Sequence, residues 1–87
     1  MPKRKEDRTP LKKFGKRIVE IRNQKNIPQV ELGDRIDMEK PNVARLEAGR
    51  TDPSLLMIKR ICDGLGVSLK EFFDSDYWKL HLLGTSP

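Results

Sequence analysis

Gln29-Val30-Glu31-Leu32-Gly33-Asp34-Arg35-Ile36, then Asp37-Met38-Glu39, then Lys40-Pro41-Asn42-Val43-Ala44-Arg45-Leu46-Glu47-Ala48-Gly49 is the stretch that decides the fold. Pro28 disfavours helix at the residue before it, so Asn26-Ile27-Pro28 is a break and a helix begins at about residue 29. That helix, roughly 29–36, is expected to bury Val30, Leu32 or Gly33, and Ile36. Residues 37–39 are too few for more than a tight turn. The next helix, roughly 40–48, places Val43 and Leu46 at i, i+3 and closes on Gly49, a natural glycine just past a helix end. Pro41 fits its first turn, where the missing N–H lacks an intrahelical partner anyway. A three-residue connection forces a large crossing angle and leaves the second helix projecting.

On the N-terminal side, Thr9-Pro10 reads as a helix start with Thr9 as cap and Pro10 at the first helical position. Leu11, Phe14, Ile18 and Ile21 then recur at steps of three and four, an apolar stripe on a helix of roughly 11–25. Lys12, Lys13, Lys16, Arg17 and Glu20 fall off it, and the Lys12–Arg17 cluster reads as a solvated face sooner than a nucleic-acid contact. On the C-terminal side, Thr51-Asp52-Pro53-Ser54 is a loop ending in a capping serine. A fourth helix, roughly 55–64, carries Leu55, Ile58, Ile61, Cys62 and Leu65 inward and ends at Gly64 and Gly66. Ser68 and Glu71 fit a capping box for a short fifth helix whose Leu69, Phe72 and Phe73 roof the core. The expectation is an all-α, compact five-helix bundle over 10–74. A basic arm (1–9) precedes it and a C-terminal extension (75–87) follows.

Composition narrows the function classes. The 87 residues hold 18 Lys or Arg against 13 Asp or Glu, a net charge of +5, with one cysteine and one histidine. That is one small domain, with no apolar run long enough for a transmembrane helix and no secretory leader. A lone cysteine makes no internal disulfide, and no Cys/His spacing resembles a metal site. Cys62 reads as a small core hydrophobe. His81 stands in no nucleophile or acid–base constellation, and Asp7, Asp34, Asp37 and Glu39 suggest no paired carboxylates. The reading is therefore a cytoplasmic non-enzyme without a cofactor, metal or catalytic residue. Residues 1–25 carry a net +7 and the rest a net −2, which permits a polyanionic partner without demonstrating one.

Two short helices joined this way have the geometry of a helix-turn-helix, whose second helix can enter the major groove. The residues also resemble a family. Gln29-Val30-Glu31-Leu32-Gly33, Val43-Ala44-Arg45-Leu46-Glu47-Ala48-Gly49-Arg50, Pro53-Ser54-Leu55 and Leu65-Gly66-Val67-Ser68-Leu69 are similar to the motifs of the lambdoid phage repressor and Cro-like (Xre-type) helix-turn-helix proteins, in order and at the right spacing over about 11–74. The resemblance implies that Gln29 bonds a phosphate and braces the first recognition residue. It implies that Lys40, Pro41, Asn42 and Arg45 face the groove, and that Arg50 and Thr51 grip the backbone. Arg22 and Glu47 match an inward ion pair joining helices 1 and 3; the bland alternative is two unrelated surface charges. The chain departs from the family pattern at Pro28, Gly33, Asp37 and Glu39. These lie off the groove-facing positions and bear on stability: Gly33 alone costs up to about 1 kcal/mol of helix propensity.

Asp76-Tyr77-Trp78-Lys79-Leu80-His81-Leu82-Leu83 alternates as a strand would, yet Phe73, Tyr77, Leu80 and Leu83 also align as a helix face. A strand would need a partner for its backbone groups, and two copies pairing there would make a homodimer; the alternative is a tail folded back on its own domain. The overall reading is a stand-alone transcriptional regulator of bacterial or phage origin that represses from double-stranded DNA. Alternatives are an antitoxin or a restriction-modification controller of the same fold, with a toxin or other protein as partner. A protein-interaction module without DNA binding is the third.

Overall fold

A computed structural model of the chain describes residues 7–76 and 78. Five helices follow one another: α1 (Thr9–Gln24), α2 (Gln29–Ile36), α3 (Lys40–Glu47), α4 (Leu55–Leu65) and α5 (Leu69–Phe72). There is no strand among the described residues, and no helix is long and apolar enough to cross a membrane. The core is one cluster built from Phe14, Ile18 and Ile21 of α1, Leu32 and Ile36 of α2, Val43 and Leu46 of α3, Ile61, Cys62 and Leu65 of α4, and Phe72 of α5.

The helix starts follow ordinary capping chemistry. Ser54 Oγ accepts from the Met57 N–H at 3.1 Å, and Ser68 Oγ accepts from the Glu71 N–H at 2.9 Å. At α1 the expected cap shifts. Thr9 is already helical, and Asp7 Oδ1 accepts its N–H at 3.0 Å. An ionised carboxylate suits the positive end of the helix dipole better than a hydroxyl does.

The helix stops share one device. Asn26, Asp37, Gly49 and Gly66 all take the left-handed conformation, with φ of 56°, 58°, 75° and 74°. In each case the next residue's N–H reaches back five positions: Ile27 to Arg22 O, Met38 to Gly33 O, Arg50 to Arg45 O, and Val67 to Cys62 O. These are Schellman ends, which satisfy orphan carbonyls and fold the following side chain back over the helix. Ile27 and Val67 are buried for that reason, and Met38 packs on the core. None of the three lies on a helical stripe.

Three side chains expected inside are not. Val30 is 52% exposed, Leu55 73% and Leu69 36%. Val30 is two residues from Leu32, and residues so spaced do not share a helix face. Leu55 and Leu69 are the first residues of α4 and α5.

Close backbone contact fixes how α1 crosses α3. A Cβ on Gly15 would lie 2.3 Å from Glu47 O and 2.6 Å from Leu46 O, so only a glycine lets the two helices meet there. Two residues further along α1, Arg17 is not the solvated cation the sequence suggested. Its side chain is 11% exposed, and it donates to Phe72 O at 2.6 Å and Glu71 O at 2.8 Å, with Asp74 O at 3.5 Å and Glu20 beside it. A fork of five donors suits the unpaired carbonyls that end α5. Most of the segment 76–83, with its strand-or-helix ambiguity, lies outside the described residues. At Asp76 and Trp78 the backbone is helical, and Trp78 meets Phe73 edge-on at 5.3 Å.

Candidate nucleic-acid interface

The turn between α2 and α3 is made by Asp37, whose short polar side chain tolerates the left-handed backbone. Glu39 then enters α3 in extended conformation without a side-chain cap, and Pro41 sits in the first turn. Val43 and Leu46 anchor the back of α3 in the core. Opposite them Lys40, Pro41, Asn42, Ala44, Arg45 and Ala48 are all exposed. Among the described residues, the polar ends of Lys40, Asn42 and Arg45 hold no partner. An eight-residue helix is about 12 Å long and, with side chains, about 10–12 Å across, which matches a major groove about 12 Å wide.

Behind that face lies a half-buried polar network. Arg22 Nε donates to Glu47 Oε2 at 2.6 Å and Nη2 donates to Oε1 at 3.1 Å, a fork on one carboxylate. Arg22 Nη1 also donates to Ile27 O at 2.9 Å, tying the pair to the stop of α1. The two side chains are 12% and 8% exposed, so they are not unrelated surface charges. Gln29 Nε2 donates to Glu47 Oε1 at 2.8 Å. That bond braces the carboxylate behind α3. An amide held beside a carboxylate must turn its N–H inward, and only the second N–H is left for a phosphate.

Past the end of α3, Arg50 and Thr51 are exposed. Arg50 Nη groups are not otherwise engaged, while its carbonyl accepts Arg8 Nη2 at 3.5 Å. Lys12, assigned to a solvated face, lies against Gly49. Cys62 is buried at the back of α4, and burial, aided by Asp63, pushes its thiol above the ordinary range. It stays a protonated core group. Gly15 and Arg17 carry no role in the sequence reading; a glycine four residues after Leu11 and three before Ile18, on the apolar stripe itself, is the available sign of a close crossing.

Residues 18–72 match the helix-turn-helix family. The chain is 29% identical over 62 residues to the control protein C.MunI of a Mycoplasma species, covering 70% of this chain and 84% of that protein. Its structure is similar to the restriction-modification controller protein C.AhdI from Aeromonas hydrophila, with a TM-score of 0.72 and 29% identity over 76% of this chain and 96% of that one. It also shares its fold with the clp gene regulator ClgR from C. glutamicum, at a TM-score of 0.68 and 23% identity over 70% of this chain and 78% of that one. With the match running from α1 through the turn into α5, the chain belongs to the helix-turn-helix family of DNA-binding transcriptional regulators.

Proposed function

We propose that the protein binds a specific double-stranded DNA site by placing α3 in the major groove, and represses transcription as a dimer on a pseudo-palindromic operator. The observation that carries this reading is the outward face of α3, where Lys40, Asn42 and Arg45 stand exposed with no partner among the described residues. Arg45 is the principal base reader, since its fork can engage guanine O6 and N7 for about 1–3 kcal/mol of discrimination. Asn42 pairs with adenine or holds a phosphate, and Lys40 is a less directional donor. Pro41 offers apolar contact to a thymine methyl, in line with Ala44 and Ala48. Arg50, Thr51 and the second N–H of Gln29 take phosphates and set register.

A single α3 reads only a few base pairs, so two copies on half-sites about 34 Å apart are needed for a unique address. The contact between copies is assigned to the C-terminal segment, with Leu55 and Leu56 at the start of α4, 73% and 80% exposed, as the competing face. Deleting residues 79–87 separates them from the Leu56→Glu variant by mass in solution: the change that yields monomers marks the interface. A second reading, a restriction-modification controller in the cytoplasm, is favoured by the 29% identity to two controller proteins. It expects a bound site just upstream of the protein's own gene.

Selection of bound sequences from random DNA tests the proposal. The wild type is expected to yield a pseudo-palindrome, and Arg45→Ala to relax one position in each half. No retained complex at low salt would sink it in favour of a protein-interaction module.

A further inference from the structure

We infer that Arg8 and Lys12, at the start of α1, form a second phosphate-binding edge that continues the recognition surface past the end of α3; this rests on the DNA-binding reading above. In sequence the two residues belong to a basic arm and a basic helix face with no stated relation to residues 40–51. The fold brings them there. A Cβ on Gly49 would lie 2.8 Å from Lys12 Cα and Cγ and 2.9 Å from Lys12 N, so the first turn of α1 touches the stop of α3. Arg8 Nη2 reaches Arg50 O at 3.5 Å, and the Arg8 carbonyl accepts the Lys12 N–H at 3.2 Å. Arg50 N–H in turn bonds Arg45 O at 2.9 Å. These contacts bring Arg8 and Lys12 beside the stop of α3, next to Arg50, and Arg8, Lys12, Arg45 and Arg50 are all exposed.

Two other cations of α1, and Lys25 just past its end, serve the protein itself. Arg17 serves the carbonyls at the end of α5, Arg22 serves Glu47 and Ile27, and Lys25 Nζ donates to Gly66 O at 3.1 Å. The +7 of residues 1–25 is thus not one diffuse cloud. Part of it is structural, and Arg8 and Lys12 are placed where a DNA backbone flanking the groove would run.

Each phosphate neutralised contributes about 0.9 to the log–log slope of affinity against salt, or about 3.5-fold between 50 and 200 mM. Affinity for a selected operator is measured over that range for the wild type, Arg8→Ala, Lys12→Gln, Lys12→Arg, the Arg8→Ala/Lys12→Gln double variant, and Lys70→Ala on α5 as a distant control. The slope is expected to become shallower by about 1 in each of Arg8→Ala and Lys12→Gln, and by about 2 in the double variant. Selected and scrambled sites are expected to weaken alike, with site preference and circular dichroism unchanged. Lys12→Arg should restore the slope, and Lys70→Ala should leave it alone. A double variant with the wild-type slope, or a slope lost equally in Lys70→Ala, would overturn the inference while leaving the reading of α3 intact. A wild type that binds no DNA would overturn both.

Discussion

Replacing Glu47 by glutamine changes one oxygen for an NH2 group and leaves shape and volume almost untouched. In the native protein that carboxylate accepts three bonds, two from Arg22 and one from Gln29. The variant keeps one acceptor oxygen, points donors at donors on the other side, and strands the Arg22 guanidinium, 12% exposed, without a counter-charge. Removing one member of a buried pair costs about 3–5 kcal/mol, whereas an exposed pair costs under about 1. With the whole domain stable by about 5–15 kcal/mol, the lower figure is already a large share. For a chain of this size, Tm should fall by on the order of 12 °C or more. Urea melts at fixed pH should show the midpoint displaced with the slope m unchanged, because the same surface unfolds. An Arg22→Met/Glu47→Gln double variant should recover part of the loss, since the stranded charge is gone. A Glu47→Gln loss below about 1 kcal/mol would refute the reasoning.

Two further outcomes follow from the geometry. Gly15→Ala drives a methyl into Glu47 O and Leu46 O, so it should cost about 1–3 kcal/mol in the same melts and weaken operator binding beyond that loss by shifting α3; unchanged stability would mean that α1 does not meet α3 as described. Arg17→Met keeps the side chain's apolar stem but abandons the carbonyls of Glu71 and Phe72. It should cost about 1.5–3 kcal/mol and raise amide exchange in α5 while α2 and α3 keep their protection.

The frame of the protein was legible from residues alone: α2 and α3 begin and end where Pro28, Pro41 and Gly49 place them, and Ser54 and Ser68 cap as read. The site residues came from resemblance, and Arg22 and Glu47 do meet in space although nothing in their spacing of 25 residues says so. What stayed hidden has physical causes. A helical stripe tells which way a side chain points but not whether a neighbour covers it, so Leu55 and Leu69 were placed inside. Ile27 and Val67 are buried by helix stops, which periodicity does not register. Arg17 is identical in sequence terms to its lysine neighbours, and only the end of α5, 55 residues away, distinguishes it.

The four left-handed helix stops bear on how the chain folds. Each is written within six residues, so α1 to α4 can find their limits before any helix has met another, and the search that remains is docking. Local encoding of this kind goes with fast folding. The closures left over differ in reach: Arg22 to Glu47 spans 25 residues, and Arg17 to Phe72 spans 55. Loop entropy separates the two by only about 0.7 kcal/mol. Distance along the chain therefore does little to rank the two dockings, and what each buries weighs more: Val43, Leu46 and an ion pair where α3 meets α1, and Phe72 with the Arg17 bonds where α5 meets it.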